Sequence, residues 1–348
     1  MPETYYFNIT YACNSCCIFC AANFQGGSRR LADMQPAQFR FLLHEADVRA
    51  GDQVVINGGE PTVHPDFFEF LAALRERQAY PILFTNGVRL HEQAFTAKLA
   101  QYSPMNIRVP FFSARPQLHD RLTGRADNFA KTLAGFAQIV GMRSQGVPFE
   151  IEAKLLLCKA TYLENRTTAA LLTERFPNLF YFSINPLLIY DKVMRNKDRL
   201  VESFSRMREA TESTIDLILS RHFLVSLDLL PFCVVAERHR ALLPPLRNVP
   251  HRRWYFDPRS TTADPEARMT EQFCSEHCLP CLYCHTCKGF YPEYLELFGH
   301  AEVQPIVQEH RGDQPLCCSA EPFRATVAPK TEPSGGKRRF VVTARLPG

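Results

Sequence analysis

The chain has 348 residues, 46% of them hydrophobic, and a formal net charge of +4, which suits one barrel-sized globular domain with an appendage. No dense Lys/Arg block occurs apart from Lys337-Arg338-Arg339, so the mild positive charge gives no argument for nucleic-acid binding. The N-terminus lacks a charged stretch followed by an apolar one, and no run of about 18 apolar residues occurs; neither export nor a membrane span is expected, and the chain reads as cytoplasmic.

In chain order, Tyr5 to Thr10 is β-rich and runs straight into a group of cysteines. Gln35 to Ala50 has helical periodicity, Val54-Val55-Ile56 is a short strand ending in Gly58-Gly59, and Pro65 to Arg77 is helical with proline at its first turn. Pro81 to Thr85 is a strand closed by Asn86-Gly87, and Asn106 to Phe112 is another. Asn128 to Ser144 is helical, Phe149 to Leu157 a strand, Leu163 to Arg175 helical, Leu179 to Ile184 a strand, and Lys197 to His222 one long helix. These make about six strand–helix units, the pattern of a parallel sheet with crossover helices. No G-x-G-x-x-G follows any strand, so a partial (β/α)6 TIM-like barrel is expected rather than a pair of Rossmann halves. The expected organisation is a barrel over 1–225, a small cysteine-rich C-terminal extension over 226–305, and a mostly disordered Pro/Lys/Arg/Gly-rich tail over 306–348.

Thirteen cysteines need explaining. Disulfides are not expected in a reducing compartment, and the cysteines are grouped: four within 13–20, five within 274–287, and two at 317–318. Grouping at short spacing is what metal sites produce. Cys13, Cys17 and Cys20 form C-x3-C-x2-C with Phe19 before the last cysteine. Three thiolates in one loop suit three irons of a [4Fe–4S] cluster and leave the fourth iron open. A zinc loop or buried cysteines are the other readings, although zinc needs a fourth ligand. Cys16 reads as a bystander.

An aromatic residue inside C-x3-C-x2-C, after a first strand, resembles the signature of the radical S-adenosylmethionine superfamily. Three further matches follow in order. Gly58-Gly59-Glu60-Pro61 is similar to the family's GGEP, Thr85-Asn86-Gly87 to its TNG, and Val109 to Ser113 with His119 to Gly124 and Asn128-Phe129 to its fourth strand and following loop. The resemblance implies that S-adenosylmethionine chelates the open iron and is cleaved reductively to a 5′-deoxyadenosyl radical. It also implies an oxygen-sensitive enzyme that needs an electron donor such as flavodoxin or ferredoxin. Under it, Gly58 and Gly59 let the backbone approach the ligand, and Glu60 accepts hydrogen bonds from the methionine ammonium. Phe19 packs near the adenine or in the core. Thr85 and Asn86 bond the ligand or shape a turn, and Ser113 and Asn185 are weaker candidates.

Cys278, Cys281 and Cys287 form C-x2-C-x5-C, which looks like the auxiliary-cluster extension, twitch or SPASM, of that superfamily. Tyr291 stands where the longer version has another cysteine, which implies a second [4Fe–4S] cluster but not a third. Cys233 is the choice for its fourth ligand, with Cys274 and Cys284 as alternatives; a zinc site is the other reading. His277 and His285 read as surface residues, Cys158 as a buried apolar one, and Cys317 and Cys318 receive no role.

The first strand begins near residue 5, leaving no room for an N-terminal recognition domain. The expected substrate is therefore a small molecule such as a sugar, nucleoside or amino acid. A peptide-modifying maturase is the alternative, and a non-catalytic iron–sulfur protein of electron transfer or regulation is the alternative of another class. Lys154 is a guess for a substrate contact, and no general acid or base is named.

Overall fold

The computed structural model describes residues 3–20, 32–189, 191–243, 253–261, 276–284, 287 and 289–307. Residues 308–348 of the proposed tail, Cys274, His285, Cys317 and Cys318 lie outside them. The elements are β1 (Thr4–Thr10), α1 (Pro36–Glu45), β2 (Gln53–Gly58), α2 (Phe67–Glu76), β3 (Tyr80–Phe84), α3 (Gln93–Ala100), β4 (Met105–Phe111), α4 (Pro116–Thr123) and α5 (Asn128–Ser144). They continue as β5 (Phe149–Leu157), α6 (Asn165–Arg175), β6 (Tyr181–Pro186), α7 (Asp191–Arg195), α8 (Lys197–Leu200), α9 (Phe204–Ser220), β7 (Leu224–Leu227), β8 (Arg253–Phe256) and α10 (Pro292–Phe298).

All strands pair in parallel in the order β7-β6-β5-β4-β3-β2-β1-β8. β1 to β6 are the six expected units of the partial barrel. Two short strands extend its edges, and among the described residues β7 and β8 do not pair, so the barrel stays open. Neither edge strand was legible, because each has only four residues. β8 also sits in the segment expected to be separate. It is held by aromatic packing on β1: Tyr6 stacks on Tyr255 at 4.7 Å and Phe7 on Phe256 at 4.5 Å between ring centroids.

Alternation places one face of each strand under the helices. Phe7, Ile9, Val54, Ile56, Ile107, Val109, Ile151 and Leu155 are buried there. Phenylalanines join the layers, Phe7 against Phe39 and Phe39 against Phe70, edge to face.

Several expected boundaries differ, among them the end of the first helix, at Glu45 rather than Ala50. The long helix from Lys197 is two, α8 and α9, because Ser203 interrupts it and its hydroxyl accepts the Arg206 N–H at 3.4 Å, an N-cap arrangement. Pro65 does not open α2; Pro61 opens a short 3₁₀ turn and Asp66 precedes the helix. The sixth strand starts at Tyr181 rather than Leu179.

The opposite faces of β4 and β5 carry charge, and that of β6 carries hydroxyls. Glu152, 1% exposed, forms an ion pair with Arg108, whose Nε lies 2.9 Å away, and accepts from Lys154 Nζ at 3.0 Å and from the Tyr181 and Ser183 hydroxyls. Burial opposes its ionisation, yet the two cations hold its carboxyl below the usual carboxylate range. Glu152→Ala leaves two cations without their anion and is expected to cost about 3–5 kcal/mol. Glu76→Ala, which cuts an exposed pair with Arg40, should cost far less. Urea denaturation of both variants checks the contrast.

Candidate functional site

The three N-terminal cysteines occupy the loop that leaves β1 at the C-terminal edge of the sheet. Backbone bonds pin it from two sides. Cys16 N–H reaches the Thr123 carbonyl at 2.8 Å and Ile18 N–H the Leu122 carbonyl at 3.0 Å, both at the end of α4. On the other side, Gly59 N–H donates to the Thr10 carbonyl and Glu60 N–H to the Ala12 carbonyl, each at 2.8 Å. A Cβ on Gly58 would stand 2.2 Å from the Thr10 oxygen, and one on Gly59 2.2 Å from the Ala12 oxygen. The close approach that these glycines permit is therefore to the cysteine loop, where the sequence suggested a ligand. Gly124, at φ 66°, does the same for Cys16.

Within the loop, burial pushes the Cys13 thiol up to about 11 and the Cys17 thiol up to about 12. The thiols of Cys13, Cys17 and Cys20 sense one another, as three thiols sharing one space must. Lys192 of α7 donates from Nζ to the Cys17 carbonyl at 2.7 Å.

Glu60 is 1% exposed. Its Oε1 accepts from Thr62 N–H (3.1 Å), Thr62 Oγ1 (2.6 Å) and Thr85 Oγ1 (2.7 Å), and its Oε2 from Asn86 N–H (2.6 Å). Burial raises its carboxyl above the ordinary range against these bonds, and no cation offsets it among the described residues. Oε2 keeps a free acceptor site.

The other sequence candidates are distributed around this centre. Thr85 and Asn86 brace Glu60. The Asn86 amide also donates to Asn14 Oδ1 at 2.6 Å and Ser15 Oγ at 3.2 Å, so it ties Glu60 to the cysteine loop. Pro61 is buried in the turn after Glu60. Phe19 packs on Phe112 at 4.8 Å, a core-side contact. Ser113 is fully buried, accepts the Arg115 N–H and faces Glu164. Asn185 donates to Asp228 and leaves its Oδ1 unpartnered. Lys154 belongs to the Glu152 network. Sequence reasoning missed Ser15, to which Asn128 also donates at 2.9 Å, and Lys192, which lies 175 residues from Cys17.

The second cysteine group surrounds a small cavity bordered by Cys233, Cys278, Cys281, Cys284 and Cys287. Cys233, pushed up to about 11 by burial, faces the thiols of Cys287, Cys281 and Cys278. Cys287 Sγ accepts the N–H groups of Phe232 (3.4 Å) and Gly289 (3.2 Å). The segment docks on the barrel through Tyr294, which stacks on Phe204 at 4.6 Å. Among the described residues no three His, Cys, Asp or Glu side chains converge closely enough to grip a single metal ion.

Residues 7–143 match the Radical SAM superfamily. Over that stretch the chain carries a radical SAM domain. Relatives include the mycofactocin maturase MftC of Mycobacterium ulcerans, 30% identical over 139 residues (38% of this chain, 37% of that one). The probable GTP 3′,8-cyclase of Thermococcus kodakarensis is 30% identical over 135 residues (38% and 42%). These matches thus span well under half of each curated relative. Among solved structures, Streptococcus suis SuiB bound to the precursor peptide SuiA shares the fold over 85% of this chain and 73% of its own, with TM-score 0.60 and 15% identity.

Radical SAM proteins use a [4Fe–4S] cluster and S-adenosylmethionine, and the donor set here fits both. Three thiols in one pinned loop suit a cluster with one open iron. A buried carboxylate with a free acceptor site and no cation suits an ammonium ligand.

His119, also in this region, is 1% exposed, packs on Phe112 and Phe129, and has an unpartnered Nδ1. Burial holds its pKa down at about 4, below the ordinary value near 6.5. Between those values the unfolded chain binds the proton and the folded one does not, so stability falls as pH drops from about 6.5 to about 4. His119→Phe should remove about 3 kcal/mol of that slope, read by denaturation at pH 7 and pH 4.5.

Proposed function

We propose that this chain is a radical SAM enzyme that modifies a peptide. Cys13, Cys17 and Cys20 hold the first cluster, and Glu60 accepts the ammonium of S-adenosylmethionine. Cys233, Cys278, Cys281 and Cys287 hold a second cluster. When bound, a reduced [4Fe–4S] cluster with S-adenosylmethionine supplies a 5′-deoxyadenosyl radical that abstracts hydrogen from a substrate carbon. This chain's own part is to hold and shield. Thr62, Thr85 and Asn86 fix the Glu60 carboxylate, Asn86 and Asn128 fix the cysteine loop through Ser15, and the barrel wall excludes water.

The observation that carries the reading is the bonding of Glu60 to the same loop frame as the three thiols, through Asn86. A structural metal loop has no need of a buried, uncompensated carboxylate beside it. A peptide substrate is supported by the likeness to a maturase and by the extent of the likeness to SuiB, which reaches into the cysteine-rich segment. The network of Arg108, Glu152 and Lys154 inside the barrel is the observation that favours a small polar substrate, the other reading.

After anaerobic reconstitution, about eight irons per chain are expected for two clusters and about four for one. With dithionite and S-adenosylmethionine, wild type should form 5′-deoxyadenosine and Cys17→Ala should not; equal yields from the two would sink the enzyme reading. Glu60→Gln should weaken S-adenosylmethionine binding at least tenfold, measured by equilibrium dialysis, while the melting temperature of the metal-free protein stays level or rises. Co-expression with short peptides encoded beside the gene, followed by mass analysis, decides the substrate class. A mass change in a peptide supports the proposal, and 5′-deoxyadenosine without one favours the small molecule.

A further inference from the structure

Lys192 stands out among the charged groups that this function does not use. It lies on α7, directly after β6, and Val193 beside it is fully buried, which seats the helix in the core. Asn196 Nδ2 donates to the Lys192 carbonyl at 2.9 Å and closes the turn. The ammonium reaches 175 residues back along the sequence to the Cys17 carbonyl at 2.7 Å. Among the described residues no carboxylate pairs with it. The buried Glu60 acts on the Cys13 thiol, and Lys192 acts on Cys17.

We propose that Lys192 is a positioning cation that sets the reduction potential of the cluster held by Cys13, Cys17 and Cys20. The inference rests on the proposed cluster reading of that loop. Reduction of a [4Fe–4S]²⁺ cluster to [4Fe–4S]⁺ takes one electron from an external donor, here dithionite, and breaks no bond. It adds one negative charge to a half-buried site, where a nearby cation is screened less than at the surface. A cation fixed against a ligand's peptide stabilises the reduced state more than the oxidised one, and net charge near a cluster is among the determinants of its potential. A hydrogen bond to the carbonyl alone would tether α7 without this effect, so the charge and the tether are separable.

The test is a redox titration of the reconstituted full chain, followed by electron paramagnetic resonance of the reduced cluster. Because a second cluster is expected, the signal is assigned by its loss in Cys17→Ala. Lys192→Gln keeps a donor and removes the charge, Lys192→Met removes both, and Lys192→Arg keeps both. At the wild-type midpoint, Gln and Met should lower the reduced-to-oxidised ratio about tenfold, a shift of about 59 mV for one electron, and Arg should hold it within about twofold. If Lys192→Gln loads iron like wild type and keeps the wild-type midpoint, the inference is overturned and the lysine is a tether. A weakened affinity for S-adenosylmethionine at an unchanged midpoint also overturns it. Should Lys192→Met fail to load iron, Lys192→Gln decides. A wild-type chain that binds no cluster would instead remove the cluster reading itself, and this inference with it.

Discussion

The site depends on how closely the end of β2 approaches the loop leaving β1. Gly59 and Glu60 continue the pairing of the two strands beyond their regular ends, each donating an N–H at 2.8 Å to a loop carbonyl. At that separation no side chain fits on Gly58 or Gly59. The same contact that fixes the thiol loop also delivers Glu60 beside it, already buried. Scaffold and site are therefore one hydrogen-bonded unit, and the burial that raises the Glu60 carboxyl follows from the backbone geometry. A ligand cation that reaches Oε2 would relieve an electrostatic cost present in the ligand-free fold.

Much of this was legible in the chain. α5 and β5 fall on their expected ranges, Asn128–Ser144 and Phe149–Leu157, because each is long and strongly periodic. The cysteine spacing, Glu60 and Asn86 were legible as chemistry-bearing residues in order along the strands. Their partners were not. Lys192 meets Cys17, and Asn128 meets Ser15, only after the sheet has brought distant segments to one edge. Asn106 and Arg108 on β4, and Glu150, Glu152 and Lys154 on β5, look in sequence like a solvated face. They line the inside of the barrel because both strands are central in a curved parallel sheet, which no local pattern encodes. The role of Gly58 and Gly59 was legible as a need for close approach, but not what approaches.

The second cysteine group shows a different limit. Short spacings picked out Cys278, Cys281 and Cys287, and Cys233 was chosen for its position after the barrel. All four thiols border one cavity, with Cys284 beside them. Pairing of Tyr294 with Phe204 seats that segment on the start of α9. The serine that breaks the expected long helix stands immediately before that phenylalanine, so the break and the docking point coincide.

The edge strand β8 lies in the chain between two thiols of the second cysteine group and pairs with the strand that leads into the first. Cys233 and Cys278 meet at one cavity, and the chain between them carries β8, which lies on β1. Drawing those two thiols together closes a loop and removes conformations in which β8 is undocked. Any ligand that bridges them therefore stabilises the outer neighbour of β1, the strand that leads into Cys13. Closure at the distal cavity therefore bears, through a four-residue strand, on the edge of the sheet from which the N-terminal loop departs.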